Sequence, residues 1–188
     1  MIKKVFIIAE AGVNHNGNLL IAKRLIKAAK DCGADAIKFQ TWAKGEITGN
    51  FTEKVSYIKK YERKKSRAEI SEKLRLNYSK FEELYKYAKR IGILFLSTPD
   101  GFKSLKFLNK KLNIKYLKVS SSELNHHKFL IEIAKCEKTV FLSTGMGNFK
   151  EVSDAVNVLR NYLPNNKIVV MQCTSEYPTK LNDVNLNV

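Results

Sequence analysis

The chain has 188 residues, 44% hydrophobic and 28% charged; that composition supports one folded domain with its own core and excludes low-complexity or disordered classes. No apolar run is long enough to span a bilayer, and three widely spaced cysteines, Cys32, Cys136 and Cys173, fit reduced thiols in a cytoplasmic protein, not a disulfide framework. A net charge of +16, from 34 basic and 18 acidic residues, admits nucleic-acid binding or a lysine-rich solvated surface on a protein that handles anions, and the second is preferred.

Val5–Ala11 opens the chain as a strand. It imitates a leader, but the apolar stretch is short and Glu10 interrupts it. Leu19–Cys32 reads as an amphipathic helix with Leu20, Leu25, Ile26 and Ala29 on one face and Gly33 as its stop. Ala36–Thr41 is the next strand. Residues 43–78 are longer and more polar, predicting a decorated loop with a helix around Arg67–Leu76. The densest basic stretch, Lys54–Arg67 with Tyr57 and Tyr61 interleaved, falls there. The other basic residues are spread over every predicted helix, and no helix-turn-helix, zinc-finger or RNP-like pattern appears, so nucleic acid is not an expected partner. Ser79, with Glu82 three residues on, predicts a capping box opening a helix that runs to Ile91 and stops at Gly92. There follow strand Ile93–Ser97, helix Phe102–Leu112, strand Tyr116–Ser120, helix Lys128–Cys136, strand Thr139–Ser143, helix Phe149–Tyr162 and strand Lys167–Cys173.

Strands apolar along most of their length, alternating with helices, describe a parallel sheet buried on both faces. Six strands fit an open doubly wound sheet or part of an eight-stranded TIM barrel. No glycine-rich fingerprint follows the first strand, and Gly145-Met146-Gly147 lacks the third glycine at the right offset, which weakens a dinucleotide site. Each strand ends in polar, chemistry-capable residues: Glu10; Lys38, Gln40 and Thr41; Ser97 and Thr98; Lys118, Ser120–Ser122 and Glu123; Ser143 and Thr144; and Cys173 to Tyr177. A barrel places its chemistry at the C-terminal ends of all its strands, whereas an open sheet concentrates it at a switch point, so the endings favour the barrel.

Lys38 and Lys118 end strands expected two apart on the rim. Each needs a partner, either a structural carboxylate or a substrate phosphate or carboxylate, and the hydroxyls nearby favour the anion; a Schiff-base lysine stays open. Gly145 and Gly147 allow backbone to approach a ligand closely. Glu10 and Glu123 are the carboxylates expected to face the centre, for proton transfer, for orienting hydroxyls or for neutralising a lysine. His15, in the Asn14-His15-Asn16-Gly17 turn, is equally a turn former or a ligand contact. His126 and His127 are read as loop surface, Cys173 as a strand thiol, and no metal site is assigned.

Ile8–Gly17, Ala34–Thr41, Phe95–Pro99, Leu142–Met146 and Cys173–Pro178, followed by Asp183-Val184-Asn185-Leu186, are spread in order along nearly the whole chain. Together they closely resemble the N-acetylneuraminate (sialic acid) synthases, with the related legionaminate and pseudaminate synthases. The resemblance implies a TIM barrel and a cytoplasmic, homodimeric transferase that condenses phosphoenolpyruvate with an N-acylated hexosamine such as N-acetylmannosamine. A divalent metal (Mn or Mg) polarises the open-chain aldehyde, C3 of phosphoenolpyruvate attacks it, water adds at C2 and phosphate leaves. By resemblance Lys38, Thr98, Lys118, Ser121, Ser143 and Ser175 hold phosphoenolpyruvate. Gln40, Tyr177 and Glu10 face the sugar, Glu10 being also a catalytic candidate, and Glu123 sits at the reacting carbons.

Ser120-Ser121-Ser122-Glu123 replaces a more usual Ser-Gly-Glu, adding side chains where phosphate approaches, and Gln172 stands where histidine is frequent. Family members continue with two more barrel strands, carrying the two metal-binding histidines, and with an antifreeze-like domain. Residues 1–188 are therefore expected to be the N-terminal part of the barrel domain, inactive as a synthase alone, with an apolar gap exposed between the first and sixth strands. Another phosphoenolpyruvate-dependent aldol synthase making 3-deoxy sugar acids, or a non-catalytic basic binding remnant, are the alternatives.

Overall fold

The computed structural model describes residues 5–47, 66–176 and 179–185. The chain divides into two units, Met1–Asn113 and Ile114–Val188, and in each three parallel strands pair in chain order. The predicted Lys54–Arg67 basic stretch lies, up to residue 65, outside the described residues, as do Tyr177 and Pro178.

The first unit carries β1 (Ile8–Gly12), β2 (Ala36–Thr41) and β3 (Leu94–Pro99). α1 (Leu19–Asp31) starts where the Asn18 side chain accepts hydrogen bonds from the backbone N–H of Leu20 and Ile21, at 2.8 and 3.1 Å. These are two of the donors that a helix start leaves without partners. α2 (Arg67–Leu74) begins in a capping box of Ser66 and Glu69. α3 (Tyr78–Ile91) begins at Asn77, whose Oδ1 accepts from Lys80 N–H at 3.0 Å. The expected Ser79–Glu82 box does not form. Asn77 offers the same acceptor two residues earlier, and Ser79 lies inside the helix with its hydroxyl donating to Asn77 Oδ1. α4 (Phe102–Lys106) runs on as a π-helical turn over Phe107–Lys111. Glu46, from the loop after β2, accepts from its Lys103 and Ser104 amides.

Strand alternation sorts β2 into two faces. Phe39 and Thr41 are buried, while Lys38 and Gln40 are half-buried on the opposite face. Phe39 joins Phe81 and Phe95, with ring centroids 6.3 and 5.4 Å away, and His15 at 5.9 Å. This aromatic cluster is the heart of the unit's core. Two sequence readings are corrected here. β1 is shorter than Val5–Ala11: Val5 to Ile7 are exposed, and Ile7 is held instead by Asp35, whose carboxylate accepts from Ile7 N–H. Leu20 is 65% exposed, and the buried stripe of α1 is Ala22, Ile26 and Ala29.

The second unit carries β4 (Tyr116–Val119), β5 (Thr139–Ser143) and β6 (Ile168–Met171). A 3-10 turn, Ser121–Glu123, leads from β4 towards α5 (His127–Ala134), and α6 (Phe149–Arg160) opens in an Asn148–Glu151 capping box. Leu117, Val119, Val140 and Leu142 from the strands, with Phe129, Leu130, Ile133, Ala155 and Leu159 from the helices, form its core. Val169 and Val170 of β6 are exposed. Among the described residues no helix is long and apolar enough to cross a membrane.

Candidate active site

In the first unit, β-strand register brings four of the predicted residues together. Parallel pairing sets Glu10 opposite Lys38 and Gln40 opposite Thr98. Lys38 Nζ lies 3.0 Å from Glu10 Oε2 and donates to Thr98 Oγ1 at 3.3 Å. Gly12, at φ +49°, follows Glu10, and a Cβ there would stand 2.7 Å from Glu10 Oε1 and 3.9 Å from Gln40 Oε1. The carboxylate thus folds back over the glycine towards the Gln40 amide. A left-handed backbone with no side chain makes room for it. Glu10, Lys38, Gln40 and Thr98 therefore form one polar cluster, with a cation for an anion and a carboxylate and amide for hydroxyls. Ser97 does not belong to it: its hydroxyl is buried on the opposite face, 2.7 Å from Thr41 Oγ1.

His15 braces its turn through one ring nitrogen, while its Nε2 is buried with no hydrogen-bond partner among the described residues. Its Nδ1 accepts from Gly17 N–H at 3.0 Å, its ring is 1% exposed, and burial pushes its pKa down to about 4. It is neutral near pH 7.

In the second unit the cluster gathers at the end of β5. Lys118 Nζ donates to Ser143 Oγ and, at 2.9 Å, to the Val119 carbonyl. Ser121 Oγ accepts from Gly145 N–H at 3.0 Å. A Cβ on Gly145 would fall on Ser175 Oγ and stand 2.9 Å from Ser121 Oγ. The two hydroxyls thus converge over a bare α-carbon, which only glycine leaves open. One ammonium and three serine hydroxyls make a cradle suited to a phosphate or carboxylate. Thr144 is structural instead, its hydroxyl donating to the Met171 carbonyl at 2.8 Å.

Two residues belong nearer the chemistry than the sequence suggested. Cys173 lies just after β6, and its thiol donates to Ser143 Oγ at 3.3 Å. His126 is exposed, as the sequence reading had it, and its Nδ1 is 2.7 Å from Glu123 Oε2. Its position three residues after Glu123, across a helical turn, was the available signal. Tyr177 lies outside the described residues. Among the described residues no group of three or more His, Cys, Asp or Glu could hold a metal ion.

Residues 25–188 match the NeuB family. The chain belongs to that family. It is 42% identical to the N,N'-diacetyllegionaminic acid synthase of Campylobacter jejuni, over 98% of this chain and 55% of that protein. It is 36% identical to the N-acetylneuraminate-9-phosphate synthase of Homo sapiens, over 97% of this chain and 50% of that protein. The crystal structure of the N-acetylneuraminic acid (sialic acid) synthetase of Leptospira borgpetersenii, in complex with citrate, superposes with a TM-score of 0.81. That match is 29% identical and covers 98% of this chain and 59% of that one. The NeuB-family chain thus spans about half the length of the curated relatives it matches. Its fold class is the TIM-barrel type that the strand endings indicated.

Proposed function

We propose that this NeuB-family chain is the phosphoenolpyruvate-handling part of a transferase that makes a nonulosonate, a sialic-acid-type sugar acid, from phosphoenolpyruvate and an N-acylated hexosamine. The observation that carries the reading is the Lys118–Ser143–Ser121–Ser175 cradle around Gly145. Its ammonium matches a charged oxygen as a point charge, and its hydroxyls can donate to the remaining oxygens.

In the reaction, C3 of phosphoenolpyruvate forms a bond to the aldehyde carbon of the open-chain sugar, and the aldehyde oxygen takes a proton. Water adds at C2. The C2–O bond to phosphate then breaks, leaving the keto acid and inorganic phosphate. The cradle holds the departing phosphate and balances its charge, which is the interaction that gains most as the C–O bond lengthens. In this reading Glu123, two residues beyond the cradle serine Ser121, accepts or returns a proton at the reacting carbons. In the first unit Glu10 and Gln40 present a carboxylate and an amide suited to hydroxyls, with the Lys38 ammonium 3.0 Å from Glu10 Oε2. A homodimer and a cytoplasmic site of action belong to the same proposal.

Calorimetric titration of the chain with phosphoenolpyruvate tests the reading. We expect saturable binding that Lys118→Ala weakens at least about tenfold, near 1.4 kcal/mol. Absence of binding by the wild-type chain, or equal affinity in Lys118→Ala, would overturn it.

A further inference from the structure

One short turn carries both a cradle hydroxyl and a carboxylate. Ser121 and Glu123 are the first and last residues of the 3-10 turn after β4. Backbone bonds lock that turn: Glu123 N–H donates to the Ser120 carbonyl at 3.0 Å and Leu124 N–H to the Ser121 carbonyl at 3.2 Å. At one end Ser121 Oγ is tied to Gly145 N–H. At the other, Glu123 Oε2 is tied to His126 Nδ1 at 2.7 Å. The imidazole is itself braced, lying over the Phe129 ring with centroids 5.5 Å apart and planes at 27°. Phe129 is fully buried in α5. His126 N–H also donates to the Glu123 carbonyl at 3.0 Å, so main chain and side chain pair the same two residues.

A carboxylate can only accept, so a hydrogen bond between it and this ring nitrogen requires the proton on Nδ1. That is the ring nitrogen a histidine protonates when a carboxylate faces it. Stability alone does not account for the arrangement. The side chains are 46% and 25% exposed, and an exposed pair of this kind is worth only about 0–1 kcal/mol. Its larger effect is geometric: one carboxylate oxygen is committed to the imidazole, which narrows the set of rotamers open to Glu123. On the neighbouring α6, the Glu151 carboxylate accepts from the Asn125 side chain at 2.9 Å.

We propose that His126 is a positioning residue that holds the Glu123 carboxylate in register with the anion cradle. The inference rests on the reading of that cradle as the phosphoenolpyruvate site, and it adds a residue that the sequence placed on the loop surface. His126 does not touch the anion. It acts by removing the rotameric freedom of the glutamate.

The test is nuclear magnetic resonance on the whole chain at pH 8.5, with the ring nitrogens of His126 and the Glu123 side-chain carboxyl carbon observed. The wild-type ring is expected as the Nδ1–H tautomer, and Glu123→Ala is expected to return it to the common Nε2–H form. The Glu123 carboxyl signal should be single and sharp in wild type, averaged and broadened in His126→Ala, and restored in His126→Asn, whose side-chain amide can donate from nearly the same place. Affinity for phosphoenolpyruvate should stay within about twofold in both His126 variants, and bound phosphoenolpyruvate should shift the His126 ring signals in wild type. An Nε2–H tautomer in the wild-type chain, an unchanged Glu123 signal in His126→Ala, or a ring blind to bound phosphoenolpyruvate would each overturn the proposal. Failure of phosphoenolpyruvate to bind at all would overturn the cradle instead, and the tautomer and the Glu123 signal would still decide the pairing.

Discussion

Placing one methyl group on Gly145 tests the cradle with little risk to the fold. In Gly145→Ala the new Cβ falls on Ser175 Oγ and 2.9 Å from Ser121 Oγ, so both hydroxyls must turn away. The nearest backbone atom, the Cys173 carbonyl oxygen, stands at 3.6 Å, an ordinary contact. Gly145 is not among the glycines of positive φ, so alanine meets no backbone strain and gains roughly 0.4–1 kcal/mol from a less flexible unfolded chain. Turning two side chains costs about as much, and the melting midpoint should hardly move. Binding should suffer far more. A hydrogen bond to a charged group contributes about 1.5–3 kcal/mol. Losing the equivalent of one such bond weakens phosphoenolpyruvate by roughly 10- to 100-fold. Paired calorimetric titration and thermal melts of wild type and Gly145→Ala make the comparison. Unchanged affinity in a normally folded variant would refute the reasoning, because the hydroxyls over Gly145 would then have no part in holding the anion.

Other predictions follow from the same geometry. His15 is held near pKa 4 when folded, against 6.5 for the free side chain. Between those values the unfolded chain binds more protons, so stability should fall as pH drops from 6.5 towards 4, by at most about 1.4 kcal/mol per pH unit. Denaturant titrations across that range should show the slope, and His15→Asn should reduce it. Phe39, fully buried among Phe81, Phe95 and His15, should cost about 3–5 kcal/mol when truncated to alanine, measured by chemical denaturation. Glu10→Gln removes the charge facing Lys38, whose side chain is only 12% exposed against 51% for Glu10, so stability should fall by about 1–3 kcal/mol as a mostly buried ammonium loses its charged partner; an unchanged denaturation midpoint would show that the charge pairing contributes nothing to the fold.

Much of this was readable from residues because the relevant physics is local. Alternating apolar strands and helical stripes fixed the β-α order, and Gly33 and Gly92 marked helix ends. Lys38, Thr98, Lys118, Ser121, Ser143 and Ser175 announced themselves as polar groups where buried strands stop. Pattern reading erred where two local solutions compete. Asn77 and Ser79 can each cap α3, and only packing selects the first. Leu20 fits the helical period but falls just outside the buried stripe. Ser97 and Thr98 are adjacent hydroxyls, yet the pleat sends one to Thr41 and the other to Lys38. Glu46 and the contact from Cys173 to Ser143 were missed for another reason: the partners are 57 and 30 residues apart, separations that no periodicity records.

The location of the bound anion is the most direct measure of the whole account. Phosphoenolpyruvate added to isotopically labelled chain should move the backbone signals of Lys118, Ser121, Ser143 and Gly145 together, in a saturable way that sodium chloride at equal ionic strength does not mimic. Shifts confined to the lysine-bearing outer helices α1 and α3, and fading with added salt, would mean that the positive surface attracts anions without a built site, and would contradict the assignment.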